Sequence, residues 1–372
     1  MAFTGRELRS KIDEDGRLTL ALVDVTLDDP ADDEIIVRVE ATPINPSDLG
    51  LLLGPADLTT LTRASDGAVT FQVPSNRLPS VKSRIGQSLP VGNEGAGTVV
   101  AAGRDAVPLE GKRVGMIGGG MYADYRRIKA ADVVTLPEGA SSQDGAAMFV
   151  NPLTAQGFVE TARSEGHKAI IHTAAASNLG QMLQKLCLTD GIPLINIVRS
   201  AEQEKILRDV GARYVLNSKD DDFAQRLVNA IAETGATIAF DAIGGGTLGG
   251  EILRAMERAA VRTMSEYNRY GSTTFKQLYV YGALDTSPTT FDRGPIGFQW
   301  GISGWLLFPF LQKAGADVSG RLRRRVVDEL TTTFASAYTR VISLAEVLDP
   351  EILRAYERKA TGEKFLIDPT RD

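Results

Sequence analysis

The sequence has very few of the residues that build disulfide bonds and metal centres. Its 372 residues include one cysteine, Cys187, and two histidines, His167 and His172. An internal disulfide needs two cysteines, and a zinc site needs about four ligands drawn from Cys, His and carboxylates. We therefore expect no disulfide and no metal site, with Cys187 as a small buried hydrophobic residue.

Long apolar runs are also missing. The densest apolar stretch, residues 305–311, is interrupted by Pro309 and is much shorter than the roughly 20 residues that cross a bilayer. Residues 1–16 are rich in charged side chains and lack the apolar core of a signal peptide. We predict a cytoplasmic protein with no membrane partner.

An excess of positive charge is absent as well. The formal net charge is −6, and the pI is close to 5.3. Nucleic acids and anionic membranes favour basic surfaces, so we expect neither as a partner. We expect a small-molecule substrate instead. The chain is 43% hydrophobic and 24% charged, which is typical of a globular protein, and its length suits two domains better than one.

What is present is a regular alternation of strands and helices after residue 168. Apolar runs predict strands at residues 169–171, 193–198, 214–216, 237–242 and 278–281, and segments with helical spacing lie between them. Strands separated by helices form a parallel sheet. We predict a Rossmann-type, doubly wound α/β sheet, whose strand carboxyl ends line a cofactor crevice.

Small residues fill the turn between the first of these strands and its helix, at residues 173–180. They let backbone N–H groups approach a pyrophosphate, which also faces the positive end of the helix. Of the usual three glycines only the third remains, because Ala175 and Ser177 occupy the first two positions. An ordinary strand-turn-helix unit stays open as an alternative. The residues predicted to bind the cofactor here are Ala175, Ser177, Asn178, Leu179 and Gly180.

A single arginine, Arg199, follows the second strand. An NAD site places an acidic residue there to accept hydrogen bonds from the ribose 2′-hydroxyl, whereas a guanidinium pairs with the 2′-phosphate of NADP. We predict NADP (NADPH) as the cofactor, held by Arg199 with help from Lys205. The alternative is that Arg199 only caps the strand in solvent.

The rest of the chain has a different pattern. Strand-like runs at 18–25, 34–41, 95–101 and 113–117 are separated by Gly and Pro and predict a β-rich domain. Helices are predicted at 321–337 and 350–360, followed by a strand at 364–367 that folds back onto this domain. We therefore predict that residues 1–150, completed by about 325–372, form one domain, and that the nucleotide-binding domain, 151–324, is inserted in it.

Several short motifs occur in a distinctive order. They are VEATPINPSD at 39–48, GNEGAGTV at 92–99, YADY at 122–125, NPLTA at 151–155, DAIGG at 241–245 and GEK at 362–364. Together they resemble the medium-chain dehydrogenase/reductase superfamily over most of the chain. The cysteines and histidine of its zinc enzymes are absent, and Asn93 stands where that histidine would be. The resemblance is therefore to the zinc-free quinone oxidoreductase family.

This resemblance implies a Rossmann-type domain inserted in a β-rich, GroES-like catalytic domain. It also implies an NADPH-dependent oxidoreductase that transfers hydride to a quinone or an activated alkene without a metal, and a homodimer. Two alternatives remain open. One is an enoyl-thioester reductase, although the Tyr that those enzymes carry after the NPSD motif is missing around Pro55. The other is a catalytically silent NADPH-binding redox sensor or scaffold.

The same resemblance implies roles for individual residues. Asn45 and Thr154 are expected near the nicotinamide, with Gly282 and Ala283 on the nicotinamide side of the cleft. A metal-free reaction needs hydrogen-bond donors for the oxygen that becomes negative. The candidate catalytic residues are Asn45, Tyr122 and Asn151, with Tyr122 also able to deliver a proton. Their alternatives are packing for Tyr122 and ordinary turns for the two Asn-Pro pairs.

Three departures from the family concern the cofactor and the substrate. Gln203 replaces a Lys that often follows the second strand in quinone oxidoreductases. Residues 54–90 are longer than the corresponding family segment, and we expect them to form a substrate-side loop. The aromatic run at 298–308 is expected either to form a substrate wall or a subunit contact, or to pack inside the nucleotide-binding domain.

Overall fold

The computed structural model describes residues 2–358 and 362–371. The strands, in chain order, are Phe3–Ile12 (β1), Arg17–Leu27 (β2), Glu34–Pro43 (β3), Asp57–Arg63 (β4), Val69–Gln72 (β5), Ser88–Pro90 (β6), Glu94–Ala102 (β7), Arg113–Ile117 (β8), Tyr125–Lys129 (β9), Val133–Thr135 (β10), Ile170–His172 (β11), Leu194–Val198 (β12), Tyr214–Asn217 (β13), Ile238–Asp241 (β14), Gly244–Gly246 (β15), Lys276–Val280 (β16), Asp285–Thr289 (β17), Trp300–Gly304 (β18), Arg340–Ile342 (β19) and Phe365–Ile367 (β20).

The helices, in chain order, are Leu49–Leu52 (α1), Ser142–Gly145 (α2), Val150–Ser164 (α3), Asn178–Thr189 (α4), Ala201–Asp209 (α5), Phe223–Thr234 (α6), Leu248–Val261 (α7), Leu307–Asp328 (α8) and Pro350–Glu357 (α9). Helix α8 is interrupted at Gly315, whose backbone is not helical. None of the helices in the described part of the chain is both long enough and apolar enough to cross a membrane.

The chain divides into two compact units. Unit 1 combines Met1–Val150 with Val326–Asp372, and unit 2 is Asn151–Arg325. Each unit has its own hydrophobic core, built in unit 1 around Leu8, Leu20 and Phe71 and in unit 2 around Ile171 and Ile195.

Unit 1 consists mainly of antiparallel β-structure. One sheet has the strand order β4-β5-β2-β1-β6, and a second has the order β10-β8-β7-β3-β20-β19, with β9 also paired to β3. The C-terminal strand β20 pairs antiparallel with β3, with Leu366 opposite Pro43. The last strand of the chain therefore returns to the N-terminal region, as the sequence predicts.

Unit 2 contains a six-stranded parallel sheet with the order β13-β12-β11-β14-β16-β18. Strands β11 and β12 are buried along their whole length. Continuous burial is typical of parallel strands covered on both faces. The combination of a doubly wound parallel sheet with a β-rich domain confirms the predicted fold class. Cys187 is buried in α4, as expected.

Residues 54–90 differ from the prediction of a loop. They form β4, β5, a 3-10 helix at Leu78–Arg84 and β6. In β5, Val69 and Phe71 are buried while Gln72 is exposed, and β5 pairs with both β2 and β4. This alternation of apolar and polar residues is the pattern of a half-buried strand, and the abundance of exposed threonines around it hid that signal.

Two predicted helices have different bounds in the structure. The helix predicted at 321–337 lies in the part of α8 after the interruption at Gly315, and α8 ends earlier than predicted, at Asp328. Pro309 near its start is compatible with the first turn of a helix, because that turn does not use the missing N–H group. The helix predicted at 350–360 ends at Glu357, and the predicted positions 359–360 lie outside the described residues.

A buried ion pair links α7 to the start of β16. The Lys276 ammonium is fully buried. It lies 2.5 Å from Glu257 Oε2 and also donates to the carbonyl oxygen of Thr274 at 3.0 Å. The same carboxylate accepts hydrogen bonds from the hydroxyl (2.6 Å) and backbone N–H (2.7 Å) of Ser272. All these partners are needed, because a buried charge without them is strongly destabilising.

We predict that Lys276→Met destabilises the protein by about 3–5 kcal/mol, since it leaves the Glu257 carboxylate buried without its counter-ion. The exposed pair Lys205–Asp209 provides the control, because Lys205→Ala should cost less than about 1 kcal/mol. Urea unfolding of both variants measures the difference. Equal losses in the two variants would contradict the role given to the buried pair.

Candidate cofactor and active site

The first group of predicted site residues lies in unit 2, in the turn between β11 and α4. Ser177 is the N-cap of α4, and its Oγ accepts a hydrogen bond from the Gly180 N–H at 3.2 Å. The first backbone N–H groups of a helix lack partners within the helix, so the start of this twelve-residue helix favours an anion.

The backbone of this turn has an unusual conformation at Ala174. Its φ is +49°, which makes it the one non-glycine residue with positive φ in the described part of the chain. Such a conformation costs about 1–2 kcal/mol for an L-residue. It is held by two hydrogen bonds, from Ser177 N–H to the Ala174 carbonyl oxygen (3.0 Å) and from Ala175 N–H to the Ile197 carbonyl oxygen (3.2 Å).

Gly180 provides a test of whether the turn fits a dinucleotide. A Cβ atom at this position would lie 2.0 Å from the carbonyl oxygen of Ala175, so only glycine allows the helix to start this close to the turn. Close approach of helix, turn and strand is the role of the third glycine in the dinucleotide-binding fingerprint. The turn therefore has the close helix–turn packing of that fingerprint, with alanine and serine in place of the first two glycines.

The carboxylate of Asp241 stabilises the start of this turn. Its Oδ1 accepts a hydrogen bond from Thr173 Oγ1 at 2.6 Å and one from Ile243 N–H at 2.9 Å, and its Oδ2 accepts one from Gly244 N–H at 3.1 Å. Thr173 Oγ1 in turn accepts from Ala242 N–H at 2.8 Å. This network links the ends of β11 and β14. We did not predict it from the sequence, although Asp241 lies within one of the family motifs.

Gly282 and Ala283 follow β16 and lie beside the segment that follows β14. A Cβ atom on Gly282 would be 2.6 Å from the carbonyl oxygen of Ala242, and that oxygen accepts a hydrogen bond from Leu284 N–H at 3.1 Å. The structure therefore brings these two predicted residues to the same edge of the sheet as the turn, since the neighbouring strands β11, β14 and β16 all end there.

Arg199 follows β12 on the other side of the turn. Its side chain is exposed, and no described residue forms an ion pair or side-chain hydrogen bond with its guanidinium. Its backbone N–H donates to Gln203 Oε1 at 3.0 Å. Lys205, by contrast, lies 2.7 Å from Asp209 on the same helix. Arg199 is thus the more available cation at the end of β12.

His172, the last residue of β11, is completely buried. Its Nε2 lies 2.7 Å from the hydroxyl of Tyr281, and its Nδ1 has no hydrogen-bond partner. The ring lies in an aromatic cluster with Phe158, Tyr281 and Phe240. Burial lowers the pKa of His172 to about 3, so the imidazole is neutral at physiological pH. This environment favours a structural role for His172.

The aromatic run at 298–308 has two kinds of environment. Trp305 is buried and packs against Phe158 and Phe310. Phe298 and Phe308 are exposed, by 73% and 60%. Part of the run therefore packs inside unit 2, and part is available for contacts with other molecules.

Asn151 and Thr154 lie in the first turns of α3. Thr154 is buried and Asn151 is partly exposed. Residues three apart in a helix lie on the same face, so the two side chains are neighbours. No described residue forms a hydrogen bond with the Asn151 side chain, which leaves its amide available to a ligand.

The second group of predicted residues lies in unit 1, where three neighbouring strands place polar residues together. Asn45 follows β3, Glu94 begins β7 and Lys364 precedes β20. Because β7 and β20 both run antiparallel to β3, their N-terminal ends lie beside the C-terminal end of β3. Asn45 and Glu94 are almost completely buried.

Asn45 uses both of its N–H-bearing groups within this cluster. Its side-chain Nδ2 donates to Glu94 Oε1 at 2.8 Å, and its backbone N–H donates to Asp48 Oδ2 at 2.8 Å. The remaining amide atom, Oδ1, is buried and has no partner. One of the two Nδ2 N–H groups is thus used by Glu94, and the expectation that Asn45 donates a hydrogen bond to substrate stays a prediction.

Ionisable groups surround Asn45. Burial raises the pKa of Glu94, against the opposing effects of nearby N–H groups and the Lys364 ammonium. Burial also raises the pKa of Asp48 to about 7 and lowers that of Lys364 to about 8. No role for these three residues was predicted from the sequence. The signal for them was an ionisable residue within each of the three motifs NPSD, GNEGAG and GEK.

Tyr122, the predicted proton donor, is fully buried in the hydrophobic core of unit 1. Its hydroxyl donates a hydrogen bond to the carbonyl oxygen of Pro43 at 3.2 Å. Burial raises its pKa well above the ordinary value for tyrosine. These features favour the alternative role of packing over that of proton transfer.

Within residues 2–358 and 362–371, no group of three or more His, Cys, Asp or Glu side chains is arranged to hold a metal ion.

Residues 31–138 match the family model of the alcohol dehydrogenase GroES-like domain. This domain and the six-stranded parallel sheet together define one class of architecture. The chain is similar in this architecture to the medium-chain dehydrogenase/reductase superfamily. The proteins to which the chain is similar include quinone oxidoreductases and enoyl reductases.

Two curated relatives illustrate this similarity. The mitochondrial enoyl-[acyl-carrier-protein] reductase of Xenopus tropicalis is 30% identical over 210 residues, which are 54% of this chain and 52% of that protein. The quinone oxidoreductase of Pseudomonas aeruginosa is 27% identical over 158 residues, which are 41% of this chain and 49% of that protein. The chain thus spans about half the length of these relatives.

Solved structures match over nearly the whole chain. A candidate NADPH:quinone reductase of Mesorhizobium loti has a TM-score of 0.73 and 26% identity, with 98% of each chain covered. The complex of Etr1p with NADP and crotonyl-CoA has a TM-score of 0.68 and 18% identity, covering 98% of this chain and 100% of that one. The second likeness shows the fold alone.

The low pKa of His172 predicts a pH dependence of stability. In the unfolded chain the imidazole has its ordinary pKa of 6.5, against about 3 in the folded protein. Between these values the unfolded state binds more protons, so the free energy of unfolding falls as the pH falls from about 6.5. Over pH 7 to 5 this group should account for a loss of about 2 kcal/mol.

Urea unfolding of wild type and His172→Gln at both pH values isolates this contribution, because Gln does not titrate and still offers Tyr281 a hydrogen-bond partner. The variant should lose less stability than wild type on acidification. Parallel losses in the two proteins would show that His172 does not titrate as described.

Proposed function

We propose that this protein is an NADPH-dependent oxidoreductase that transfers hydride to a quinone or an activated alkene without a metal. One observation carries the proposal. Along a single edge of the parallel sheet lie Arg199, then the turn at 173–180, then the segment that contains Gly282. This order matches the succession of 2′-phosphate, pyrophosphate and nicotinamide along the extended cofactor.

The residues at this edge would divide the binding of the cofactor among them. The first turn of α4 would hold the pyrophosphate, because its N–H groups and helix dipole favour an anion. The Arg199 guanidinium, which has no competing partner among the described residues, would pair with the 2′-phosphate. Gly282 and Ala283 would border the nicotinamide. When bound, NADPH supplies a hydride to an electron-poor carbon of the substrate.

The substrate oxygen that becomes negative needs a hydrogen-bond donor. Of the three predicted catalytic residues, Asn45 gives one of its two amide N–H groups to Glu94, and Tyr122 gives its hydroxyl to the carbonyl oxygen of Pro43. Asn151 has a side-chain amide without a partner among the described residues, and we assign the donor role to it. For a quinone, solvent can supply the proton that completes the hydroquinone.

An enoyl thioester is the second candidate substrate. The curated relative with 30% identity is an enoyl-[acyl-carrier-protein] reductase, and Etr1p has been crystallised with an enoyl thioester. An enoyl thioester is also an alkene activated by a carbonyl group, so the same hydride transfer applies. The missing Tyr after the NPSD motif favours the quinone or enone as substrate.

The experiment that tests the function follows the oxidation of NADPH by its absorbance. The purified chain is mixed with NADPH and, separately, with a simple benzoquinone, an enone and an enoyl thioester. We expect turnover with a quinone or an enone. Tight binding of NADPH without oxidation of it by any member of this panel would instead indicate a redox sensor or scaffold.

Arg199→Ala should distinguish the two cofactors. Because the guanidinium is assigned to the 2′-phosphate, its loss should weaken NADPH binding by about 10- to 100-fold and leave NADH binding nearly unchanged. Calorimetry with both nucleotides measures the two dissociation constants. Lys205→Ala is the matched control, since that ammonium pairs with Asp209 and its removal should have a smaller effect. Equal weakening of NADPH and NADH by Arg199→Ala would refute the assignment.

A further inference from the structure

A hydrogen bond between two side chains of unit 2 connects strands of the parallel sheet that are not neighbours. Strand β14 lies between β11 and β16. The hydroxyl of Tyr281, the residue after β16, nevertheless lies 2.7 Å from Nε2 of His172, the last residue of β11. The two rings are nearly parallel, with planes 14° apart and centroids separated by 5.8 Å. The side chain of Tyr281 therefore reaches across β14 to β11.

Each member of this His172–Tyr281 pair immediately precedes a segment that the proposed function gives to the cofactor. His172 comes directly before the turn at 173–180, and Tyr281 comes directly before Gly282. In their pairing with β14, the last residue of β11 is His172 itself and the last residue of β16 is Val280. The pair therefore lies where the two strands end and the two loops begin.

We infer that His172 and Tyr281 are positioning residues, which fix the segment after β16 relative to the turn at 173–180 so that it is already in place for the nicotinamide half of the cofactor. The identity of the ligand follows from the proposed function, on which this inference rests. All the residues concerned belong to unit 2.

The segment after β16 is held mostly by hydrogen bonds at the surface of the unit. Residues 283–290 are exposed, and the backbone N–H of Leu284 donates to the carbonyl oxygen of Ala242 at 3.1 Å. Segments with few buried contacts sample several conformations, and binding a ligand to one of them costs the entropy of ordering the segment. A hydrogen bond at Tyr281 reduces that cost, because it fixes the residue from which the segment leaves the sheet.

The other member of the pair is fixed by packing. His172 is completely buried, and its ring centroid lies 5.9 Å from that of Phe158. Phe158 stacks on Phe240 at 4.0 Å and meets the edge of the Tyr281 ring at 4.8 Å. Because protein interiors are close-packed, these rings have little freedom to move. The hydrogen bond thus connects an exposed segment to a firmly packed part of the core.

The chemistry of the pair shows how it can be kept or removed. One nitrogen of a neutral imidazole donates and the other accepts, and a hydroxyl does both, so the bond forms with either tautomer. A Gln side chain at position 172 also offers a donor and an acceptor, whereas Leu offers neither. At position 281, Phe keeps the ring and lacks the hydroxyl.

The test compares two ligands by calorimetry in wild type and Tyr281→Phe. One is NADPH, and the other is 2′-phospho-ADP-ribose, which has the 2′-phosphate and the pyrophosphate but no nicotinamide. We expect the variant to bind NADPH about 3- to 30-fold more weakly, the usual size of coupling through packed and hydrogen-bonded side chains. Binding of the fragment should stay within about 2-fold of wild type, below that range.

A second substitution separates positioning from stability. In Tyr281→Phe both ring nitrogens of His172 are buried without a partner, which is destabilising. Adding His172→Leu removes that penalty, because two apolar side chains need no hydrogen bond. The double variant should therefore regain stability in urea unfolding and still bind NADPH as weakly as Tyr281→Phe does. A purely structural role predicts instead that NADPH affinity returns together with stability.

Two further variants are controls. Tyr279→Phe removes another hydroxyl of β16, which donates to Glu165 Oε1 at 2.6 Å, from a ring that also stacks on Phe240. This hydroxyl is not part of the pair, so its loss should leave the binding of both ligands unchanged. His172→Gln keeps a partner for Tyr281 and should bind NADPH within about 2-fold of wild type.

The outcomes separate the inference from the proposed function. Weaker binding of NADPH with unchanged binding of the fragment, in both Tyr281→Phe and the double variant, supports the inference. Equal effects on the two ligands, recovery of NADPH affinity in the double variant, or an equal loss in Tyr279→Phe overturns it and leaves the proposed function intact. A wild type that does not bind NADPH overturns both. If Tyr281→Phe does not fold, the same comparison of ligands in the double variant decides.

Discussion

Parallel pairing of β11 with β12 and β14 is the constraint on which unit 2 depends. His172, the last residue of β11, is level with Asn196 of β12 and Phe240 of β14. With the strands in this register, the segments that follow them emerge at one edge of the sheet, and each can contribute a different group to an extended ligand. The turn, Asp241 and Arg199 are separated widely in sequence, and the sheet register makes them neighbours.

In unit 1, antiparallel pairing also brings residues together that are distant in sequence, and here they form a cluster of polar and ionisable groups. The end of β3 and the starts of β7 and β20 converge, and they bring the buried Asn45 and Glu94 close to the half-buried Lys364. Burying a carboxylate is unfavourable unless hydrogen bonds and opposite charge compensate for it. Here the compensating groups are a side-chain amide, two backbone N–H groups and an ammonium, so the carboxylate is confined to one geometry. That confinement gives the neighbouring amide a defined orientation.

The order of strands and helices in unit 2 could be predicted from the sequence because its apolar runs are local and regularly spaced. The fold class followed from that order. The polar networks could not be predicted, because Asn45 and Glu94, or Thr173 and Asp241, are far apart in the chain and no local pattern reports their contact. Likewise, the sequence identified Tyr122 as a polar candidate without indicating that its hydroxyl is used by a carbonyl oxygen in the core.

The left-handed conformation of Ala174 affects whether the turn is ordered before or during ligand binding. A glycine at that position would adopt several backbone conformations with similar ease, and a ligand would have to select one of them. Alanine is held in an unfavourable region by the surrounding hydrogen bonds, so the bend is already rigid when the chain has folded. If the turn binds an anion as proposed, little conformational entropy would be lost at the moment of association, because the backbone there is already ordered.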